Sequence, residues 1–308
     1  MVREEVDLRP LDAPEPRMSL VAGLIRTARP KQWSKNVLVF VAPGAAGVLD
    51  NGEPLAQTII AFACFCLAAS GTYFLNDAAD VEQDRLHPTK RRRPIAAGVV
   101  PVSTAVVTGI VLIAAGIGLG FAARWQLSVT VAGYVVITTM YSTYLKHIAV
   151  VDIVALASGF VLRLIGGATA TGVRISDWFF IIAAFGSLFM VVGKRHAERM
   201  NMGDDAHTTR STLAEYSESY LAYLRAVTSG SLLIAYCLLA FEKANAVNAS
   251  VPWYQLSILP FVLGVLRYAL LVDQGHGEAP EEIVLGDRAL QVIGVLWAVL
   301  FGLGVYAS

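Results

Sequence analysis

The sequence predicts an all-α membrane protein, a polytopic bundle of about nine transmembrane helices around a central cavity. The chain has 308 residues, of which 56% are hydrophobic and only 16% are charged, and its mean hydropathy is +0.58. A soluble domain usually carries about 25% charged residues. The composition therefore favours a chain that lies mostly in lipid.

Apolar stretches near the length needed to cross a bilayer, about 17 to 25 residues, recur along the chain. The first is the weakest, because Pro43 and the glycines within 44–47 interrupt it. The stretches lie near 36–50, 55–75, 101–122, 127–145, 149–170, 177–194, 221–241, 254–273 and 288–306.

The distribution of Lys and Arg predicts the orientation in the membrane. The loop after the second stretch contains Arg85 and the basic run 90–93, whereas the opposite loops contain only Arg124, Arg174 and Lys243. Because short cytoplasmic loops are enriched in Lys and Arg, we expect the basic side and the N-terminus to face the cytoplasm. The expected location is the inner (plasma) membrane, as a multi-pass protein.

The chain is predicted to form a single membrane domain with a short tail. Residues 1–18 are polar and Pro-rich and are expected to be a disordered cytoplasmic tail. Residues 19–308 would form the transmembrane domain, with cytoplasmic cap loops at 76–100 and 195–220.

An acidic cluster follows the second apolar stretch. Asp77, Asp80 and Asp84 are spaced by three and then four residues, so in a helix their carboxylates share one face. Crowded carboxylates repel one another unless a cation lies between them, and Mg²⁺ prefers such oxygen ligands, with substrate phosphates completing its shell. We predict a Mg²⁺ site on all three, with Mn²⁺ as the other candidate ion. The alternative is a solvated helix end with Asn76 or Asp77 as its cap.

The basic run 90–93 comes directly after the acidic cluster. We expect Lys90 and Arg91 to bind phosphate oxygens. The alternative is that these charges only fix the topology. Basic loops alone do not indicate a nucleic-acid partner, and no other feature supports one.

Further polar residues lie at the ends of, or inside, the apolar stretches. Lys31, Lys35 and Asn36 precede the first stretch and would lie at the mouth of the same cavity. Arg163 lies within the fifth stretch, where ionisable residues are costly and usually face a polar cavity; its alternative is a buried carboxylate partner. The remaining candidate substrate-binding residues are Asn76, Tyr141, Lys146 and Arg195.

The segment GKRHAE at 193–198 leaves the sixth stretch. Lys194 and Glu198 are one helical turn apart and could simply pair with each other. The functional interpretation is that Lys194 and Arg195 bind a sugar phosphate while Glu198 positions a hydroxyl group or the metal.

These motifs resemble the UbiA superfamily of intramembrane prenyltransferases. The resemblance rests on NDxxDxxxD at 76–84, the predicted spans and the second polar loop after the sixth span. RPKQWSKN at 29–36, NDAADVEQDRLHPTKRRRPIAAG at 76–98 and GKRHAE resemble most the branch that transfers 5-phosphoribose from phosphoribosyl diphosphate (PRPP) to decaprenyl phosphate. Typical aromatic prenyltransferases have a second Asp cluster after the sixth span. Lys194, Arg195 and Glu198 take that place here, which suits a donor with an additional phosphate.

The resemblance implies a membrane glycosyltransferase that makes polyprenyl-phosphoryl-5-phosphoribose and diphosphate, for the synthesis of cell-wall arabinan precursors. Its partners would be PRPP, decaprenyl (polyprenyl) phosphate and the lipid bilayer, with the choice between monomer and homo-oligomer left open. The implied catalytic residues are Asp77, Asp80, Asp84, Lys194 and Glu198.

Two other functions fit the same pattern. One is a prenyltransferase that joins a polyprenyl diphosphate to an aromatic acceptor. The other is a transporter of a phosphorylated lipid or sugar, which internal repeats and broken helices would favour; no clear repeat is visible in the sequence.

Overall fold

The computed structural model describes residues 18–202, 211–247, 250–276 and 280–307, and within these ranges the regular structure is entirely helical. The predicted tail 1–18 therefore lies outside the described residues up to 17, as do residues 203–210 of the second cap loop. The first half contains α1 (Leu20–Ala28), a 3-10 segment (Pro30–Phe40), α2 (Val41–Ala45), α3 (Gly52–Ala79), α4 (Val81–Leu86), α5 (Val102–Gly120) and α6 (Trp125–Thr143). The second half contains α7 (Val151–Thr171), α8 (Asp177–Met202), α9 (Ser211–Glu215), α10 (Glu218–Ala246), α11 (Trp253–Leu256), α12 (Ile258–Asp273), α13 (Pro280–Gly286) and α14 (Arg288–Tyr306). Short 3-10 turns at Lys90–Arg92 and Leu145–His147 lie between helices.

Helices of membrane-spanning length and apolarity account for most of the predicted stretches. Among the described residues there are seven such candidates: α3, α5, α7, α8, α10, α11 continued by α12, and α14. The 19-residue α6 coincides with the predicted fourth span but is less apolar, because it contains several Thr and Ser residues. The predicted all-α membrane bundle is confirmed, with helices at eight of the nine predicted stretches.

The first predicted span, near 36–50, is not a continuous transmembrane helix. The chain follows a 3-10 helix over Pro30–Phe40 and only five residues of α-helix after it. Helix α2 ends at Ala45, and Gly47 has φ of 70°, a left-handed conformation that stops helical continuation. A 3-10 run of this length is uncommon, and protein rather than lipid must cover it.

The irregular segment, residues 30–45, is covered by α3 and α7, which both pack against it. Asn36 and Val39 are fully buried there. The close approach depends on Gly167 of α7, because a Cβ atom at that position would overlap the carbonyl oxygen of Val39. Non-helical backbone is tolerated at membrane depth where protein buries it, and Gly167 allows that burial.

Gly167→Ala is therefore expected to destabilise the fold. The added methyl group must displace backbone rather than a flexible side chain, and overpacking of this kind costs about 1–3 kcal/mol. The midpoint of thermal unfolding in detergent measures it. Gly133→Ala on α6 is the matched control, since a Cβ there meets nothing within 4 Å. An equal midpoint for both variants would contradict the role assigned to Gly167.

Candidate active site

The acidic cluster lies where α3 passes into α4. Helix α3 ends at Ala79, and Asp80 occupies the junction with φ of −89° and ψ of 6°. Backbone hydrogen bonds nevertheless continue through the junction, from the Asp80 N–H to the Asn76 carbonyl and from the Asp84 N–H to the Asp80 carbonyl. The three acids therefore do not belong to one uninterrupted helix, although the turn is kept.

Two of the carboxylates, those of Asp77 and Asp84, are buried and paired with arginines. Nη1 of Arg93 donates to Asp77 Oδ1 at 3.1 Å and to Asp84 Oδ2 at 2.7 Å, so one nitrogen joins both acids. Nη2 of Arg29 donates to Asp77 Oδ1 at 2.6 Å. We call Arg29, Asp77, Asp84 and Arg93 the arginine–aspartate cluster. Its two negative and two positive charges balance.

The predicted set of three carboxylate ligands is not assembled in this structure. No group of three His, Cys, Asp or Glu side chains within the described residues is placed to hold a metal ion. Asp80 is half-buried and has no ion pair with the described part of the chain. The cation between Asp77 and Asp84 is the Arg93 guanidinium group. The donor chemistry still suits a hard divalent ion, since two buried carboxylates already face a common positive charge.

A cationic cavity of about 300 Å³ opens beside Asp77. Five of its lining residues are cations and one is a carboxylate, so its electrostatic preference is for a polyanion. Lys90, predicted from the sequence, lines it, whereas Arg91 is exposed and does not. The lining residues are Arg26, Thr27, Arg29, Asp77, Thr89, Lys90, Arg92, Arg93 and Pro94.

Sequence reasoning did not select Arg26, Arg29, Arg92 or Arg93 as site residues. Arg29 and Arg93 each come directly before a proline, where a residue is held in non-helical backbone. This Arg-Pro pattern was the sequence signal that could have singled them out. Arg29 also adopts a left-handed conformation, with φ of 53°, which is uncommon outside glycine. That turn ends α1, and the guanidinium group of Arg29 lies 4.5 Å from the centre of the Tyr73 ring while it contacts Asp77.

The residues before the first predicted span do not lie at the mouth of this cavity. Lys31 is exposed, Lys35 is half-buried, and neither lines it. Asn36 is fully buried inside the bundle instead, because its amide donates to Cys66 Sγ at 3.2 Å and its Oδ1 accepts from Arg163.

Arg163 is buried in α7 and is bound by neutral groups. Its Nε donates to Asn36 Oδ1 at 2.7 Å, Nη1 to the Gly159 carbonyl at 2.6 Å, and Nη2 to the Tyr134 hydroxyl at 3.0 Å. The guanidinium group also lies 4.7 Å from the centre of the Tyr134 ring. Among the described residues no carboxylate pairs with it, so the alternative of a buried acidic partner is wrong for that part of the chain.

Arg195 is the centre of a second buried network, on α8. Its Nε donates to Asp152 Oδ2 at 3.0 Å, Nη1 to Glu198 Oε2 at 2.6 Å, and Nη2 to the Tyr141 hydroxyl at 2.9 Å. Every nitrogen of the guanidinium group is thus engaged by protein, and the residue is 1% exposed. We call Tyr141, Asp152, Arg195 and Glu198 the Arg195 network. The predicted contact of Arg195 with a phosphate does not fit this placement.

Lys194 lies at the edge of that network. Its Nζ is 3.8 Å from Glu198 Oε1, and a third of its side chain is exposed. The Lys194–Glu198 pair considered from the sequence is therefore present. Its distance is long, and the ammonium group of Lys194 lies near solvent.

Tyr216 supports the network and was not found from the sequence. Its hydroxyl donates to Asp152 Oδ1 and accepts from the Val150 N–H at 2.6 Å. Burial, together with the hydrogen bond to Asp152, raises the pKa of Tyr216 above its ordinary value, so the hydroxyl keeps its proton. Val150 has φ of 68°, which is unusual for a β-branched residue, and the Tyr216 contact holds its amide at the start of α7.

Two hydrogen bonds, made by adjacent residues of α6, connect α6 to α3 and to α8. The Asn76 amide donates to Ser142 Oγ at 2.9 Å, and the preceding residue, Tyr141, accepts from Arg195. Lys146, in the turn after α6, is half-buried, and its carbonyl accepts from Thr212 at 3.3 Å. The ends of α3, α6 and α8 are thereby fixed relative to one another.

Comparison with known proteins identifies the family. The model of the UbiA prenyltransferase family matches residues 37–290. The chain belongs to the UbiA prenyltransferase family. It is 42% identical to a protein of Corynebacterium glutamicum and 41% identical to one of Mycobacterium tuberculosis, both named decaprenyl-phosphate phosphoribosyltransferase. These matches cover 95% and 94% of this chain, and 89% and 97% of the respective relatives.

Solved structures share this fold, among them a UbiA homolog. A UbiA homolog from Archaeoglobus fulgidus bound to GPP and Mg²⁺ gives a TM-score of 0.67 at 18% identity, covering 93% of this chain and all of the other. A digeranylgeranylglyceryl phosphate synthase gives 0.67 at 14% identity, covering 94% and 99%. The resemblance inferred from the motifs is confirmed. Family membership and the apolar helices together make this UbiA-family chain an integral membrane protein.

Proposed function

We propose that this protein transfers 5-phosphoribose from PRPP to decaprenyl (polyprenyl) phosphate and releases diphosphate, a step toward cell-wall arabinan precursors. The observation that carries the proposal is the cavity beside Asp77, with Arg26, Arg29, Lys90, Arg92 and Arg93 around a single carboxylate. The names of the relatives at 41–42% identity support the same reaction. PRPP combines a diphosphate with a 5-phosphate, and guanidinium groups bind such oxygens by paired, charge-assisted hydrogen bonds.

The reaction needs positioning and charge stabilisation more than a strong base. An oxygen of the lipid phosphate attacks C1 of the ribose as the bond from C1 to the diphosphate oxygen breaks, and the diphosphate carries the electron pair away. The lipid phosphate is already anionic at neutral pH, so holding it near C1 is the main requirement. Lys90 and the cavity arginines would stabilise the charge that develops on the departing diphosphate.

Asp77, Asp80 and Asp84 are the residues that would hold a divalent cation, Mg²⁺ or Mn²⁺. When bound, it would neutralise charge on the leaving diphosphate. Asp80 is the member of the trio without an arginine partner among the described residues, so its carboxylate can accept a ligand without breaking an ion pair.

The other candidate residues divide by what they contact. Lys194, near solvent beside Glu198, would bind the 5-phosphate or the lipid phosphate. Asn76 and Tyr141 would hold the helix ends in register, and Arg195 would position Glu198 from within the bundle. Arg163 with Asn36 would fix the irregular segment against α7.

The lipid substrate would enter from the bilayer, and the phosphate-binding end would face the cytoplasm. An apolar cavity of about 400 Å³ next to the irregular segment supports accommodation of an isoprenoid chain. Its walls come from the irregular segment, α8, α10, α12 and α14, and include Phe40, Phe179, Tyr236, Phe261 and Trp297.

Incubation of the purified protein with labelled PRPP and decaprenyl phosphate tests the proposal directly. A lipid-linked phosphopentose identified by mass spectrometry is the expected product. Prenylation of an aromatic acid without that product would favour the aromatic prenyltransferase. Flux in proteoliposomes without chemical turnover would favour a transporter.

Lys90→Ala is expected to raise the KM for PRPP about tenfold, because one charge-assisted hydrogen bond in a cationic site is worth roughly 1.5–3 kcal/mol. Arg91→Ala is the matched control: both cations are exposed, but only Lys90 lines the cavity. We expect the KM of this control to change by less than about twofold, because an exposed charge outside the cavity contributes little to binding there. Equal effects of the two substitutions would show that the overall charge of the loop, rather than the cavity, sets the affinity.

A further inference from the structure

Arg93 occupies the position between two acids that the sequence assigns to a metal ion. A single nitrogen of its guanidinium group contacts the carboxylates of Asp77 and Asp84 at 3.1 and 2.7 Å. Both carboxylate side chains are only 4% exposed, whereas the Arg93 side chain is 29% exposed and lines the cationic cavity. The arginine thus lies at the boundary between the buried acids and the space open to an anion.

The charge of the cluster decides what can join it. Asp77 and Asp84 are balanced by Arg29 and Arg93, so a divalent cation arriving alone would add two positive charges to a neutral group. It would also have to bind close to the guanidinium group of Arg93. Like charges that lie close together repel strongly beside buried groups such as these two carboxylates. A diphosphate arriving with the cation reverses this balance, because its oxygens provide a new partner for the arginine.

We propose that Arg93 is an internal counter-cation that is exchanged for the metal. It neutralises Asp77 and Asp84 until a diphosphate enters the cavity, and then moves from the carboxylates to the diphosphate as a divalent ion takes its place. Metal and diphosphate consequently bind with strong positive coupling, and the metal alone binds weakly. This inference rests on the metal–diphosphate site of the proposed function. It adds that the divalent ion and the diphosphate bind together, and that Arg93 is the positioning residue that couples them.

The coupling protects the site in two ways. Without the Arg93 ion pairs, the buried Asp84 would lose its cation and Asp77 would keep only Arg29, which is costly in a protein interior. With these ion pairs, the acids stay neutralised in the free protein, and the charge that balances them is delivered to the leaving group. One side chain therefore stabilises the fold before substrate binding and the diphosphate afterwards.

Binding of Mn²⁺ to the full-length protein in detergent, followed by electron paramagnetic resonance without any phosphate compound, tests the inference. Arg93→Gln is expected to bind Mn²⁺ tighter than the wild type by about tenfold or more, because a positive charge next to the ion is removed. Arg92→Gln is the matched control: it removes an exposed cation from the same cavity, and its Mn²⁺ affinity should stay within about twofold of the wild type. Asp84→Asn added to Arg93→Gln should abolish the gain. Equal Mn²⁺ affinity of Arg93→Gln and the wild type overturns the proposal.

A measurement on the wild type does not depend on whether the variant folds. Mn²⁺ and inorganic pyrophosphate together are expected to raise the thermal unfolding midpoint by more than the sum of their separate effects, since ligands that bind the native state stabilise it by mass action. Additive shifts would contradict the exchange. Neither assay uses PRPP or lipid, so failure of the phosphoribosyl-transfer assay with a positive Mn²⁺ result would reject the proposed reaction while leaving the exchange intact.

Discussion

Asp77→Asn is expected to lower kcat/KM for phosphoribosyl transfer by about 10²–10³-fold, the effect typical of losing one electrostatic stabiliser at a reacting centre. The carboxylate is the point at which Arg29 and Arg93 meet, at 2.6 and 3.1 Å. An amide of the same size keeps the packing but removes the charge. Both guanidinium groups then lose a shared anion, and a candidate metal ligand becomes neutral. Initial rates with labelled PRPP and decaprenyl phosphate measure the loss.

Glu82→Gln is the matched control for this substitution. Glu82 lies in the same acidic segment, but its side chain is 78% exposed, and its ion pair is with Arg85 on the outer side of α4. We expect its rate to stay within about twofold of the wild type, since exposed pairs contribute little. A rate for Asp77→Asn near that of the control would remove Asp77 from the mechanism.

The fold could be predicted from the sequence to the extent that it depends on local composition. Apolar length identifies a helix wherever the segment is regular, which holds for eight of the nine stretches. The prediction from apolar length fails near 36–50. The backbone there is not a regular α-helix, and whether the protein can bury it depends on a residue far away in the sequence. Gly167 of α7 makes room for the Val39 carbonyl, and no local pattern reveals that contact.

The site was predictable only where its residues are neighbours in the chain. The spacing of Asp77 and Asp84 and the adjacent basic run predicted a polar cluster after the second span, and the structure brings both carboxylates to Arg93 of that run. Their partners were not identified, because Arg29 is 48 residues from Asp77 and the pairing of Arg93 with Asp77 spans 16. A run of basic residues does not show which of its members turn inward.

Arg195 was predicted to bind substrate, but the structure places it in the protein interior. Within GKRHAE it looked like a phosphate ligand next to Lys194, but an acid 43 residues away, Asp152, binds its Nε. Long-range pairing decides whether a cation faces the substrate or the protein interior. The sequence could supply the residue types, whereas the assignment of each to binding or to structure required the contacts.

Arg195→Gln is accordingly expected to destabilise the protein more than it weakens substrate binding. The substitution removes the Arg195 cation from the buried Asp152 and one of the cations that contact Glu198, and breaking a buried ion pair from one side costs about 3–5 kcal/mol. Tyr216→Phe removes the hydrogen bonds of the hydroxyl with Asp152 and with the Val150 N–H and should cost about 2 kcal/mol. Denaturant unfolding in detergent ranks the two variants.

Lys194→Gln separates the interior role from the binding role at the adjacent position. Its ammonium group is 3.8 Å from Glu198 and partly exposed, so we expect little loss of stability and a several-fold higher KM for PRPP, with a smaller effect on the KM for the lipid. The contrast between the two variants follows from burial. Loss of the buried Arg195 charge lowers the stability of the fold, whereas loss of the partly exposed Lys194 charge weakens substrate binding. If Arg195→Gln left stability unchanged and raised only the KM for PRPP, Arg195 would be a phosphate ligand, and its three protein contacts would be exchanged for substrate during turnover.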